Sequence, residues 1–318
     1  MRVLVIGGSG FIGGALVRRL REVGVVRESG APGVEVATFH RGVGADVRGD
    51  RRELARFREA LSRLAPECVV DTIAHSERDA AEAVAVFRGI ARRLIVLSSQ
   101  DVYATYGRLL RLEAGAPDPI PASEDAPLRA SRFPYRAKAR GPEDMAYEYE
   151  KILVEQAAAA DPELPATILR LPCVYGPADP HRRVGQVLDR MRAGGDFVMD
   201  RAKASWRWTR GYVEDAADAI ALAATDPRAT GRTFNVGEAS ALTEAEWISR
   251  IGKAARWRWE VRAVPREQLP PELAEPPLDY AHDLVADTSR IRRELGFRER
   301  AAADEAMRRT VEDARVVR

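Results

Sequence analysis

Short apolar runs, each followed by a longer amphipathic stretch, recur along the first half of the chain. Val3–Ile6 runs into a glycine cluster, and an amphipathic run, Ala15–Val23, follows directly. Val34–Phe39, Cys68–Ala74, Leu94–Ser98 and Ala166–Leu171 read as further strands. Between them, Arg51–Leu64 carries Leu54, Phe57, Leu61 and Leu64 at helical spacing, and Ala80–Ala91 and Tyr147–Ala160 also read as helices. Repeated βα units predict an α/β fold built on a doubly wound parallel sheet, with ligands at the carboxyl ends of the strands.

Two stretches break this rhythm. Tyr103–Pro142 dissolves into prolines after a strand end. Its position predicts a cap over the site, the alternative being a surface excursion. Residues 177–208 and 241–318 lack the alternation and predict a smaller substrate-binding lobe. The main domain is then 1–176, with 209–240 returning to it.

Composition narrows the function classes. The 318 residues hold 50 basic and 48 acidic side chains, a net charge of +2, which gives no electrostatic footprint for nucleic acid. Cys68 and Cys173 sit in apolar runs as buried thiols, consistent with a cytoplasmic setting. No stretch is long enough to span a bilayer, and the N-terminus enters a strand rather than a signal sequence. His40, His75, His181 and His282 are scattered without metal-ligand spacing.

The chemistry begins at MRVLVIGGSGFIG. Gly7, or Gly8 in a second frame, with Gly10 and Gly13 suits a strand–turn–helix that takes a pyrophosphate on the helix N-terminus. Tyr147 and Lys151 form a YxxxK pair that a continuous helix would place on one face. A nearby ammonium favours the phenolate. Tyr149, with no lysine four residues on, is the weaker candidate. Ser98-Ser99 ends a strand where a hydroxyl can meet a substrate oxygen.

GGSGFIG, VVDTIAH, LSSQDVY, YEYEK, LRLPCVYGP, GYVEDAADAI and DTSRIRRELGF, in that order, resemble the extended short-chain dehydrogenase/reductase family of the epimerase/dehydratase type. The resemblance implies a Rossmann-type sheet with a small C-terminal lobe, and Ser99, Tyr147 and Lys151 as the catalytic set. It places Gly7, Gly10, Phe11, Ile12 and Gly13 on the dinucleotide, Ile73 and Ala74 beside its adenosine half, and Pro172 and Val174 beside the nicotinamide. Tyr147 would move the proton, Lys151 would hold the ribose, and Ser99 would orient the oxygen. A homodimer formed through helices near these motifs is also implied, with Ala157–Ala160 allowing close approach.

Departures from the pattern carry their own expectations. The second strand ends in His40-Arg41 where NAD enzymes place an acid, so the charge favours NADP over NAD. Asp50 and Arg51 would flank the adenine. Cys173 stands where nucleotide-sugar members carry Asn, and Arg182, Arg183, Arg207 or Arg210 could hold a diphosphate. Gln100-Asp101 replaces the acid–base pair of dehydratases, leaving both as candidate substrate contacts. Trp208, with Trp206, could stack on a sugar or base. The leading expectation is a hydride- and proton-transferring enzyme, reductase or epimerase, acting on a sugar or nucleotide sugar. The alternatives are an NADPH-dependent ketone or aldehyde reductase on a non-nucleotide substrate, a dinucleotide-binding sensor, or an RNA-binding relative.

Overall fold

The computed structural model describes residues 1–25, 33–274 and 278–316. Eleven strands are present among the described residues: β1 Arg2–Ile6, β2 Glu35–His40, β3 Val47–Arg48, β4 Cys68–Asp71, β5 Arg93–Ser99, β6 Ala166–Leu171, β7 Cys173–Tyr175, β8 Phe197–Asp200, β9 Arg210–Tyr212, β10 Thr233–Asn235 and β11 Val261–Val264. The helices are α1 Phe11–Val25, α2 Arg58–Arg63, α3 Glu77–Phe87, α4 Ala104–Leu109, α5 Met145–Glu148, α6 Lys151–Ala158, α7 Arg183–Arg192, α8 Arg201–Ser205, α9 Val213–Thr225, α10 Glu244–Ala255, α11 Ser289–Leu295 and α12 Ala303–Val316.

Seven strands form one all-parallel sheet in the order β10-β6-β5-β4-β1-β2-β3. Its central strands are apolar on both faces because helices cover both. Val3 and Val5 point into a core shared with Leu16 and Leu20 of α1 and Ile220 of α9. Leu4 and Ile6, one residue out of phase, point into the opposite core with Leu61, Ala83, Phe87 and Val154. The chain crosses from β1 to β2 on one side and returns to β4 on the other, so the crevice at the carboxyl end of β1 lies at a topological switch point.

β7 pairs with β9, and β8 pairs with β11 in a separate parallel pair that packs with α8 and α10. The proline-rich stretch is ordered and straps two regions together. Ala104 N–H donates to Pro127 O at 2.9 Å, and Ala122 N–H donates to Val285 O at 2.7 Å. Among the described residues no helix is long and apolar enough to cross a membrane.

One helix departs from expectation. The stretch predicted as a single helix over Tyr147–Ala160 is two, α5 and α6, interrupted at Tyr149 (ψ 114°) and Glu150 (φ −155°, ψ 97°). The physical reason is Glu150. Its carboxylate caps α6 through Ile152 N–H (3.0 Å) and pairs with Arg129 at 3.0 Å, while its own N–H donates to His75 O at 3.0 Å. An unbroken helix would give up all three.

Candidate functional site

The glycine turn has the close packing that the sequence demands. Gly7 lies at φ +87°, and a methyl on Gly13 would run into the Gly7 carbonyl oxygen. Gly10 N–H closes the turn on that same oxygen at 2.9 Å. Phe11 and Ile12 open α1, where the first N–H groups have no intrahelical acceptor. Ile73 packs against Gly7, and Ala74 is buried at the end of the adjoining strand.

The second strand ends beside this turn. His40 Nδ1 accepts from Gly42 N–H at 3.1 Å, and the exposed Arg41 guanidinium stands 4.0 Å from Asp50. Asp50 accepts from Arg52 N–H at the head of a 3-10 turn, and that contact with the Arg52 guanidinium holds its carboxyl down to about 2. Arg51, expected with Asp50 beside the adenine, turns its side chain inward. Its guanidinium is buried against Asp71 (2.8 Å) and Glu82 (3.1 Å), a structural tie between β4 and α3.

At the end of β5 the two serines diverge, because successive strand residues face opposite sides. Ser98 is buried and donates to Glu155 of α6. Ser99 is half-buried and accepts from Asp101 N–H at 3.2 Å, with its hydroxyl close to the Tyr149 phenol. Tyr149 also donates to Asp101 Oδ2 at 2.9 Å, as does Tyr135 at 3.1 Å, and the Tyr135 and Tyr106 hydroxyls are 2.8 Å apart. Burial pushes the Asp101 carboxyl up, against the pull of the nearby Arg129 guanidinium.

Lys151 Nζ donates to Ala74 O (2.5 Å) and Leu97 O (2.8 Å) and lies 5.6 Å from the centre of the Tyr149 ring. Burial lowers its pKa to about 8. Tyr147 does not share a face with it. With the helix broken, Tyr147 lies under the Arg136 guanidinium, 4.7 Å from ring centre to carbon, and no hydrogen bond joins it to Ser99 among the described residues. Residues two apart in extended backbone share a side, so the break puts Tyr149 rather than Tyr147 beside Lys151.

A cleft with about 420 Å3 of room opens past Cys173. Trp208 and Trp247 line it with Phe197 and Tyr280. Its cations are Arg183, Arg190, Lys203, Arg210 and Arg266, against the acids Asp200 and Glu244. Arg210 is held by Glu244, and Arg266 by Asp200 at 3.3 Å.

Other expected substrate contacts lie elsewhere. Arg207 is exposed and donates to Ala241 O, lining a separate groove with Ile120 and Pro121. Arg182 pairs with Asp189 on the outside of α7. Trp206 is core, its indole N–H donating to His282 O at 2.9 Å. Gln100 donates to Val236 O at 3.2 Å and serves the packing of β10. Pro172 sits against Gly211, and Val174 is buried in the main core.

Residues 3–237 match the profile of the NAD dependent epimerase/dehydratase family. The chain belongs to that family. Over 303 residues it is 26% identical to 2'-dehydrokanamycin reductase of Streptomyces kanamyceticus, covering 91% of this chain and 75% of the relative. UDP-glucose 4-epimerase of Thermotoga maritima, solved with UDP-glucose, superposes with a TM-score of 0.68 at 19% identity, over 100% of this chain and 99% of the other. UDP-glucose 4-epimerase of Thermus thermophilus, solved with NAD, superposes with a TM-score of 0.67 at 22% identity, over 99% of each chain. This epimerase/dehydratase-family chain is thus a nicotinamide-dependent enzyme on a Rossmann-type sheet.

Sequence reasoning missed Tyr106, Tyr135 and Arg129, all carried in by the proline-rich strap. Only the expectation of a cap pointed toward them. It also undervalued His75, whose ring stacks on Tyr149 at 5.8 Å. Burial, then the Lys151 ammonium, hold this imidazole down at about 3.

That depression has a measurable consequence. An unfolded chain takes up the His75 proton below about 6.5, while the folded one resists it until about 3. The unfolded state therefore binds more protons in that window, and stability falls as pH drops through it. His75→Asn should flatten the fall in melting temperature between pH 7 and pH 4.5, removing a slope of up to about 1.4 kcal/mol per pH unit. Equal losses in both proteins would refute the assignment.

Proposed function

We propose that this chain carries out nicotinamide-dependent oxidoreduction or epimerisation at a hydroxyl-bearing or keto carbon of a nucleotide sugar. The observation that carries the reading is the cleft itself, lined by five cations and two acids, in a chain that also carries the glycine turn and the Ser99–Lys151 pair of side chains. Such a cleft favours a diphosphate, which guanidinium groups grip through paired charge-assisted hydrogen bonds. A nicotinamide dinucleotide fits the turn, because the close packing of Gly13 on the Gly7 carbonyl seats α1 directly behind β1, with its first N–H groups, which lack intrahelical acceptors, at the carboxyl end of the strand.

When bound, the dinucleotide supplies or accepts the hydride. Gly10, Phe11, Ile12 and Gly13 would hold its pyrophosphate, with Ile73 and Ala74 along the adenosine half. Lys151 has spent two of its three N–H groups on carbonyls, leaving one for a ribose hydroxyl. Ser99 orients the substrate oxygen, a tyrosine hydroxyl of the site moves the proton, and the strap excludes water. Arg41, with no carboxylate at position 40 to oppose a 2'-phosphate, supports NADP over NAD.

The second reading is reduction of a cationic amino-sugar ketone. Its support is the Streptomyces kanamyceticus relative, and the positive cleft opposes it. Calorimetric titration separates the two. UDP should bind, with Arg190→Ala weakening it about tenfold, about 1.4 kcal/mol. Binding of kanamycin with no heat from UDP would favour the second reading. NADP+ should bind at least about tenfold tighter than NAD+, and Arg41→Ala should erase the difference.

A further inference from the structure

In YEYEK two tyrosines compete for one role, and helix periodicity alone points to Tyr147. The break at Tyr149–Glu150 replaces the four-residue repeat of a helix with the two-residue repeat of extended backbone. Tyr149 then faces Ser99 and Lys151, while Tyr147 packs under Arg136. The break is fixed from outside the motif, by the Glu150 carboxylate held on Arg129.

The surroundings of Tyr149 differ from those of a phenol tuned by an adjacent lysine alone. Facing it are His75, Ser99, Asp101, Tyr135 and Lys151. The Lys151 ammonium is tied to two carbonyls and approaches the ring centre only to 5.6 Å. The direct partner of the phenolic hydrogen is Asp101 Oδ2. Asp101 is 5% exposed, and its second oxygen has no hydrogen-bond partner among the described residues. A buried carboxyl with one oxygen unpaired is costly to maintain as a charge. Burial raises its pKa, which keeps a proton within its reach.

We propose that Tyr149, not Tyr147, is the phenol that exchanges the proton with the substrate oxygen, and that Asp101, backed by Tyr135 and Tyr106, positions and refills it. This rests on the oxidoreductase reading above and names the proton path of that same site. Reducing a ketone takes one hydride at carbon, which a reduced nicotinamide dinucleotide supplies, and one proton at oxygen. The Tyr149 O–H bond breaks as the substrate O–H bond forms. The phenolate takes its replacement proton from the Asp101 carboxyl. Asp101 is refilled through the Tyr135 hydroxyl at 3.1 Å, Tyr135 from Tyr106 at 2.8 Å, and the half-buried Tyr106 hydroxyl from a water proton, so the net proton comes from solvent. Oxidation of an alcohol runs the same transfers in reverse. Tyr149 is the catalytic residue in this scheme, and Asp101 and Tyr135 are positioning residues that act through it.

The test needs no native substrate. The full chain is made with 3-fluorotyrosine at position 149 or at position 147, and the fluorine resonance is followed through alkaline titration. The 149 label should ionise well above the 147 label, since burial and the Asp101 carboxylate both disfavour its phenolate. Asp101→Asn should lower the 149 transition by at least one pH unit and leave the 147 transition in place. Tyr135→Phe, a milder change, should shift the 149 resonance without unfolding the chain. Labels that titrate alike, or a 149 label blind to both substitutions, would overturn the proposal.

Turnover with UDP-glucose and NADP+ or NAD+ adds a second readout. Tyr149→Phe should lower kcat about 100-fold with KM within about threefold, and Tyr147→Phe should stay within about threefold on both. The reverse ranking would also overturn the proposal. If the unaltered chain is silent with UDP-glucose while the 149 label keeps its dependence on Asp101, the nucleotide-sugar reading fails and the assignment of Tyr149 stands.

Discussion

Arg129→Met should cost the fold about 3–5 kcal/mol, because it strands a buried carboxylate. Both side chains of the Arg129–Glu150 pair have 0% exposure, and the guanidinium gives two further hydrogens to the backbone carbonyls of Asp101 and Ser131. Glu150 meanwhile accepts from Phe133 N–H at 2.6 Å and Ile152 N–H at 3.0 Å. Without Arg129 the carboxylate either stays buried as an uncompensated charge or swings out. Swinging out removes the cap of α6 and frees Tyr149–Glu150 to become helical, which carries Tyr149 away from Ser99.

Urea unfolding checks this through the midpoint at unchanged slope. The double variant Arg129→Met/Glu150→Gln should recover part of the loss, since it removes the stranded charge along with its partner. A loss below about 1 kcal/mol in Arg129→Met would show that the pair is solvated and does not hold the break.

Gly13→Ala should weaken dinucleotide binding about 100-fold, equivalent to about 2.7 kcal/mol. The added methyl meets the Gly7 carbonyl oxygen and Cα of Gly8, both backbone, so no side chain can yield to make room. Either α1 moves away from β1 or the turn opens, and each displaces the N–H groups that receive the pyrophosphate. Fluorescence titration with NADPH measures the change, and circular dichroism confirms that the fold persists. Affinity within about threefold of the parent would sink the assignment of this turn as the cofactor cradle.

Both predictions concern positions that sequence reading treats very differently. Gly13 is legible because its constraint is local: a strand, a turn and a helix within a dozen residues leave no room for a side chain. Periodicity reaches Ser98-Ser99 but not the choice between them, which comes from the family resemblance; the structure turns Ser98 to Glu155 and leaves Ser99 beside Tyr149. The same logic fails at Tyr147. The run AYEYEKILVEQAAAA has strong helical propensity, and its i, i+4 pair looks sound. Arg129, twenty-one positions before Glu150, decides otherwise through one buried ion pair. Arg51 misleads in the same way: its place after a strand suggests a ligand contact, but Asp71 and Glu82 claim the guanidinium.

The amino-acid sequence alone determined the parallel βα architecture, the tight glycine turn between β1 and α1, and the placement of Ser98-Ser99 at the carboxyl end of β5. These follow from periodicity and from backbone sterics, both short in range. Tertiary structure alone decided which tyrosine faces the serine, which arginines line the cleft, that Arg51 is committed to Asp71 and Glu82, and that the proline-rich strap brings Tyr106, Tyr135 and Arg129 beside Asp101 and Tyr149. Those outcomes depend on pairing between charges and hydroxyls far apart in the chain. Their strength is set by burial, which exists only once the chain has folded.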